Sequence, residues 1–249
     1  MKDKVLYQFF SILVFFILWQ TISEYYHSPL FPSPMDTINA LFSLLASKDG
    51  WYHIEVTTYR VFLGIIFGSC VGAMCGILPR YSRIAEYAVK SVFYPLFVSI
   101  PSICWVLVFV VWFGLSDVTP VLAISAAVIP FFMINIWEGV KELDESLVEM
   151  GMIYTRNKLR ILRKIIMPML YPYVFSAFKT SFEVAWKVVI LGEVFGAASG
   201  IGYMLWIAHE VYAIEYVFAW TLCCAVIIII FDYGIFNYID MRYMRRWKR

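Results

Sequence analysis

Six windows of this chain are long and apolar: Val5 to Ile22, Thr57 to Leu78, Ser91 to Phe113, Pro120 to Trp137, Leu170 to Leu191 and Ala213 to Tyr233. A helix that crosses the hydrocarbon of a bilayer needs about 20 largely apolar residues, and it crosses as a helix because lipid cannot satisfy free backbone N–H and C=O groups. The windows therefore predict an all-α transmembrane protein with six spans. Composition agrees, because 62% of the 249 residues are hydrophobic and in water that fraction would leave large exposed patches. The 17 Tyr and 9 Trp suit the headgroup layer, where a ring with a polar handle is stable.

Basic residues between the spans alternate in side. Lys2 and Lys4, then Arg80, Arg83 and Lys90, then Lys141, Arg156, Lys158, Arg160, Arg163 and Lys164, and finally Arg242, Arg245, Arg246, Lys248 and Arg249 all fall together, which is 16 of the 20 Lys and Arg. The positive-inside rule makes that side cytoplasmic and puts both termini there. A nucleic-acid-binding tail is the competing reading of the last cluster, but aromatic apolar sequence stops a few residues before it. No small-residue cleavage site follows the first window, so it is read as an uncleaved span. Outside lie Glu24 to Glu55, where Ser33 or Asp36 is expected to start an amphipathic helix over Met35 to Ala46. The five cysteines lack metal spacing and read as small buried hydrophobes, and His27, His53 and His209 as solvated outer residues.

Between the fourth and fifth windows, charge and apolar residues are mixed. Leu143, Leu147, Met150 and Tyr154 recur at helical spacing while Glu142, Glu145 and Glu149 mark another face, so Lys141 to Tyr154 predicts an amphipathic helix with something to pack against. Two readings are open for it: a surface helix in the headgroups, or a docking helix for a cytoplasmic partner, in which Gly151 lets the backbone approach another structure.

A charge at the membrane centre costs about 2.5–3.5 kcal/mol even on the smaller estimates, so charges within the windows need a reason. Arg60 and Asp232 are near span ends and read as snorkelling or structural, and Lys179 could reach the interface. Glu183 and Lys187 are one turn apart in the order that favours an intrahelical pair, with pathway lining as the alternative. Glu193 could order the following loop or meet an outer partner. Pro95 and Pro101 can kink the third span and free carbonyl groups, which makes them the first candidates for lining a pathway. Val108, Trp112, Glu183, Lys187 and Val188 are further pathway candidates. No nucleophile, base and orienting acid come together in the sequence, and no Gly-x-x-x-x-Gly-Lys-Ser/Thr loop is present to bind nucleotide.

Glu149-Met150-Gly151, Thr155, Ile165 and Met167-Pro168 resemble the signature of binding-protein-dependent ABC importer permeases, Glu-Ala-Ala, three residues, Gly, nine residues, Ile-x-Leu-Pro. Met150, Gly151, Thr155 and Met167 depart from its usual residues. Phe31-Pro32-Ser33-Pro34, Thr58-x-Arg60-x-x-x-Gly64, Ile100-Pro101, Trp112-Phe113-Gly114, Ala185-Trp186, Glu193 and Gly200-Ile201-Gly202-Tyr203 extend the resemblance over almost the whole chain. It is similar to the nitrate, sulfonate, taurine and bicarbonate branch, with importers of thiamine precursors and other small heterocycles as an alternative cargo class.

The resemblance implies a six-helix type I ABC importer permease fold in a prokaryotic inner membrane. Residues 1–249 would form one permease domain, with an extracytoplasmic segment at 28–50 and a cytoplasmic coupling segment at 138–167. It further implies a non-catalytic subunit that pairs with a second permease copy, as a homodimer. Two ATP-binding cassette ATPase subunits would hold the ATP and Mg, and an extracytoplasmic solute-binding protein would deliver a small solute. No cofactor, metal or nucleic acid is expected on this chain. Glu142, Leu143, Leu147, Glu149, Met150, Gly151, Tyr154 and Thr155 would make the ATPase-coupling element. A self-contained channel or ion-coupled carrier is the competing class and would need no ATPase.

Overall fold

The computed structural model describes residues 2–26, 28 and 30–243, and among these the regular elements are all helical. Helix α1 (Lys2–Tyr26) carries the first window. Helix α2 (Pro34–Ala46) starts as the sequence around Ser33 suggests: the Ser33 hydroxyl accepts from the Asp36 amide at 3.1 Å, the Asp36 carboxylate accepts from the Ser33 amide at 3.3 Å, and Pro34 opens the first turn. Among the described residues, three unbroken helices are long and apolar enough to cross a membrane: α3 (Lys48–Arg80), α6 (Val118–Lys141) and α10 (Ile214–Arg242). Two further helix pairs reach that length and apolarity only when each is taken together across a bend, α4 (Arg83–Ser99) with α5 (Ser102–Phe113) and α8 (Lys158–Gly196) with α9 (Ile201–Glu210). Helix α7 (Glu145–Tyr154) joins α6 to α8.

The centre of the bundle is α6, packed between α3 and α8. Its contact with α3 is made by glycines at every fourth position: Gly64, Gly68, Gly72 and Gly76 are all buried and put one bare stripe against α6. A Cβ on Gly68 would lie 2.7 Å from the Ser125 carbonyl oxygen, and one on Gly72 would lie 2.6 Å from that of Ile129. Such backbone-to-backbone approach supplies dispersion contact where lipid removes the hydrophobic drive between helices. The Ser125 hydroxyl spans the interface to the Gly64 carbonyl at 3.1 Å. On the far side, Phe182 of α8 meets Phe231 and Phe236 of α10, with ring centroids 4.9 and 5.3 Å apart.

The third window is not one straight span. Its two halves meet at 84°, because Ile100 precedes Pro101 and is extended, with φ −79° and ψ 118°, the conformation that a following proline imposes. Pro101 therefore breaks the helix, while Pro95 lies in the first turn of a regular stretch that follows a π-helical segment, Val89–Phe93. The fifth window runs on into α9 after a bend of 54°.

Three further expectations are corrected by the packing. The helix expected from Lys141 to Tyr154 is split: α6 ends at Lys141, and Asp144 caps a separate α7. Cys70 and Cys104 are exposed on the chain's surface, while Cys223 and Cys224 are buried. His53 is also buried, not solvated, whereas His209 is exposed. His27, Arg245, Arg246, Lys248 and Arg249 lie outside the described residues.

Candidate functional site

Three places along the bundle hold the residues that the sequence singles out. At the end bearing Arg80, Lys90 and Lys141, α7 packs against the first turns of α8. Asp144 starts it, with its Oδ1 accepting from the Ser146 hydroxyl at 2.6 Å and from the Ser146 amide at 2.9 Å. The Ser146 hydroxyl and then the backbone amides favour the ionised carboxylate and hold the Asp144 pKa below its ordinary value. Arg80 reaches Glu145 at 3.6 Å, tying the end of α3 to the start of α7.

The inward face of α7 is Val148, Gly151 and Thr155, while Glu149 is exposed. Gly151 is buried because its Cα faces Ile165; a Cβ there would lie 2.4 Å from Ile165 Cδ1. Of the apolar face marked by Leu143, Leu147, Met150 and Tyr154, the last three are open, at 41%, 47% and 85% exposure, as is Ile153 beside them at 85%. Glu142 and Leu143 belong to the joint before α7. Glu142 accepts a hydrogen bond from the Tyr173 hydroxyl, and Leu143 packs against the core. Thr155 ends α7 in an extended conformation, φ −152°, which any residue adopts, so this corner does not require the glycine usual at the position. Its Oγ1 accepts from the Asn157 amide at 3.2 Å, and Asn157 in turn caps α8.

At the opposite end, Arg60 is almost wholly buried, and both of its terminal nitrogens are bound. Its Nη1 donates to Glu193 Oε1 and to the Ser199 carbonyl, each at 2.7 Å, and its Nη2 donates to Asp117 and to the Ser199 hydroxyl. Glu193, also fully buried, accepts from Thr57 Oγ1 at 2.9 Å and from the Gly202 amide at 2.8 Å. The Gly200 amide donates to His53 Nδ1 at 3.0 Å. Gly200 has φ +104°, and a Cβ on it would lie 2.2 Å from Glu193 Cδ, so the α8–α9 turn closes over the carboxylate because residue 200 has no side chain. Of the two roles open to Glu193, ordering the following loop is the one this geometry performs. Arg60 does not snorkel. Sequence reading missed His53, Thr57, Asp117 and Ser199 as partners, and the one available signal was that a buried Arg and Glu require them.

Between the two ends, the α4–α5 bend faces α6 and α8 across a cavity of about 340 Å³. Lys187 and Val188 line it with Tyr94, Phe97, Ser102 and Trp105. Pro95 and Pro101 flank the bend with exposed rings, and Val108 and Trp112 lie further along α5, exposed and outside this lining. Glu183 and Lys187 do not form the expected pair: among the described residues, Lys187 makes no ion pair. Lys179, one turn before Glu183, pairs across to Asp232 of α10 at 2.9 Å.

Residues 64–244 match the model of the binding-protein-dependent transport system inner membrane component, starting at the first glycine of the α3 stripe. The Bacillus subtilis permease SsuC, named for aliphatic sulfonates transport, is 26% identical over 217 residues, covering 86% of this chain and 78% of the relative. The Escherichia coli taurine transport system permease protein TauC is 23% identical over 237 residues, covering 90% and 84%. Among solved structures, an inward-facing form of the MetNI methionine ABC transporter superimposes with a TM-score of 0.58 at 17% identity, over 76% of this chain and 91% of that one, which shows a shared fold. The α7 element, the glycine-packed bundle and the matched residues lead to one identification: the chain belongs to the binding-protein-dependent transport system inner membrane components and is an ABC importer permease with the type I fold.

Proposed function

We propose that two copies of this chain form a route for a small organic anion through the prokaryotic inner membrane, opened alternately to each side by two ATP-binding cassette partners. The reading puts both termini and α7 in the cytoplasm, ATP and Mg on the partners, and a solute-binding protein at the outer end. One observation carries it. Helix α7 is fixed to the bundle by Gly151 on Ile165 and by Arg80 on Glu145, yet it presents Leu147, Met150, Ile153 and Tyr154 outward at the basic end. An exposed apolar patch on an anchored helix is suited to sit in a groove of a partner and to move the bundle when that partner moves. Nucleotide-driven closure of the partners would then shift the balance between inward- and outward-open arrangements.

The names of SsuC and TauC support a sulfonate-like cargo. The test is uptake of a radiolabelled alkanesulfonate into proteoliposomes holding the permease, the ATPase co-expressed with it and the binding protein. Uptake that requires ATP hydrolysis supports the importer. Equal uptake by the permease alone would overturn it in favour of a channel or carrier.

A further inference from the structure

The cavity at the α4–α5 bend has a wall chemistry of its own. It lies at mid-depth, since it meets α6 at Ala127, Pro130 and Phe131, the middle of that helix. One side is an aromatic stack, in which Trp105 lies between Phe97 and Phe109 with ring centroids 5.3 and 6.1 Å away and interplanar angles of 18° and 20°. The remaining lining is apolar except for the Tyr94 and Ser102 hydroxyls and a single ionisable group, Lys187.

Lys187 is distinguished from the other cations within the spans by what it lacks. Arg60 is neutralised by Glu193 and Asp117, and Lys179 by Asp232. Among the described residues, Lys187 has no carboxylate within ion-pair distance, and none lines the cavity. Lys187 is exposed in the single chain and stands at the open side of the cavity. An ammonium at this membrane depth with no carboxylate beside it favours an anion, because a low-dielectric surround is relieved by an opposite charge.

Resting on the importer reading, the geometry points to this cavity as a binding site in the permease itself for an organic monoanion, with the charged head on Lys187 and an apolar tail along Phe97 and Trp105. The apolar walls set the class. A small inorganic anion such as nitrate or bicarbonate would give up its hydration for one ammonium and two hydroxyls, whereas an alkanesulfonate also buries its hydrocarbon.

The experiment titrates the full-length permease in nanodiscs with butane-1-sulfonate by calorimetry, with protein-free nanodiscs as the blank. Saturable binding is expected, weakened by at least about tenfold for butan-1-ol and for Lys187→Gln, and retained by Lys187→Arg. Nitrate at equal concentration should fail to compete. Absence of saturable binding, an affinity unchanged in Lys187→Gln, or equal competition by nitrate would overturn the site. ATP-driven uptake by the complete importer that persists unchanged in Lys187→Gln would also remove the site while leaving the importer reading intact. Uptake that needs no ATPase would remove the importer reading instead.

Discussion

The guanidinium of Arg60 and the carboxylate of Glu193 face one another at 2.7 Å, at 1% and 0% side-chain exposure, and join the first turns of the α3 crossing to the far end of α8. Each has further partners. Arg60 also holds Ser199, and Glu193 holds Thr57 and Gly202, so the pair fixes the turn into α9 as well as two helices. Asp117, the other carboxylate on Arg60, is 79% exposed. Burial decides which of the two matters. Arg60→Met strands the Glu193 charge and should lower stability by about 3–5 kcal/mol, whereas Asp117→Asn should cost less than about 1 kcal/mol. The double variant Arg60→Met, Glu193→Leu should recover part of the loss, because both charges go together. Unfolding in mixed micelles measures all three, and a single Arg60→Met as stable as the native protein would contradict the assignment.

Close packing along the glycine stripe makes a second quantitative demand. A methyl group on Gly68 or Gly72 meets a carbonyl oxygen of α6 and cannot be relieved by turning a side chain. Gly68→Ala and Gly72→Ala should each destabilise by about 1–3 kcal/mol. Gly234 has nothing within 4 Å of a built Cβ. Gly234→Ala should therefore be neutral or stabilising, by up to about 1 kcal/mol, through lost backbone freedom in the unfolded chain. Thermal melts of the three variants side by side separate these signs.

If α7 seats in an ATPase groove, its most exposed apolar residues should carry much of the contact. Ile153→Asp and Tyr154→Ala should leave the melting temperature of the isolated permease unchanged, since both side chains are 85% exposed. Each should weaken association with the ATPase by about 2 kcal/mol, roughly thirtyfold. Gly151→Ala should be tolerated, because the atom in the way is the flexible end of Ile165. Gly151→Phe should displace α7 and lose the partner. Co-purification and nucleotide-stimulated uptake are the measurements, and an unaltered complex with Ile153→Asp would show that the exposed face is not the contact.

Acid should loosen the start of α7 before the spans respond. Asp144 has a lowered pKa in the folded chain, caused first by the Ser146 hydroxyl, so its capping contribution is fully present above the ordinary aspartate value. That contribution is lost as pH falls through the lowered folded value. Amide exchange at Ser146 and Leu147 should accelerate in that acid range, once corrected for intrinsic rates, and Asp144→Asn should flatten the change. Exchange that shows the same pH dependence in Asp144→Asn would rule this cap out as the cause.

The helical windows, the basic end, the amphipathic start at Ser33 and the signature around Glu149 were legible because each is local: a run of apolar residues, a cap or a charge cluster acts within a few positions of itself. Local pattern did not say what the apolar face of α7 packs against. Leu147, Met150 and Tyr154 have the spacing of a buried stripe, but a partner outside the chain leaves the same pattern as a core inside it. What the sequence by itself determined was that this chain crosses lipid as helices and which end carries its positive charge.

Tertiary structure decided the rest, for the reason that pairing within a membrane is set by which faces meet. Glu183 and Lys187 had the spacing of an ion pair, yet Lys187 opens into the cavity at the α4–α5 bend, while Lys179 reaches across to Asp232. Arg60 and Glu193 lie 133 positions apart, and only the approach of α3 to α8 turns two costly charges into one ion pair. Spacing along a chain fixes what a residue can reach on its own helix, and the packing of separate helices fixes what is there to be reached.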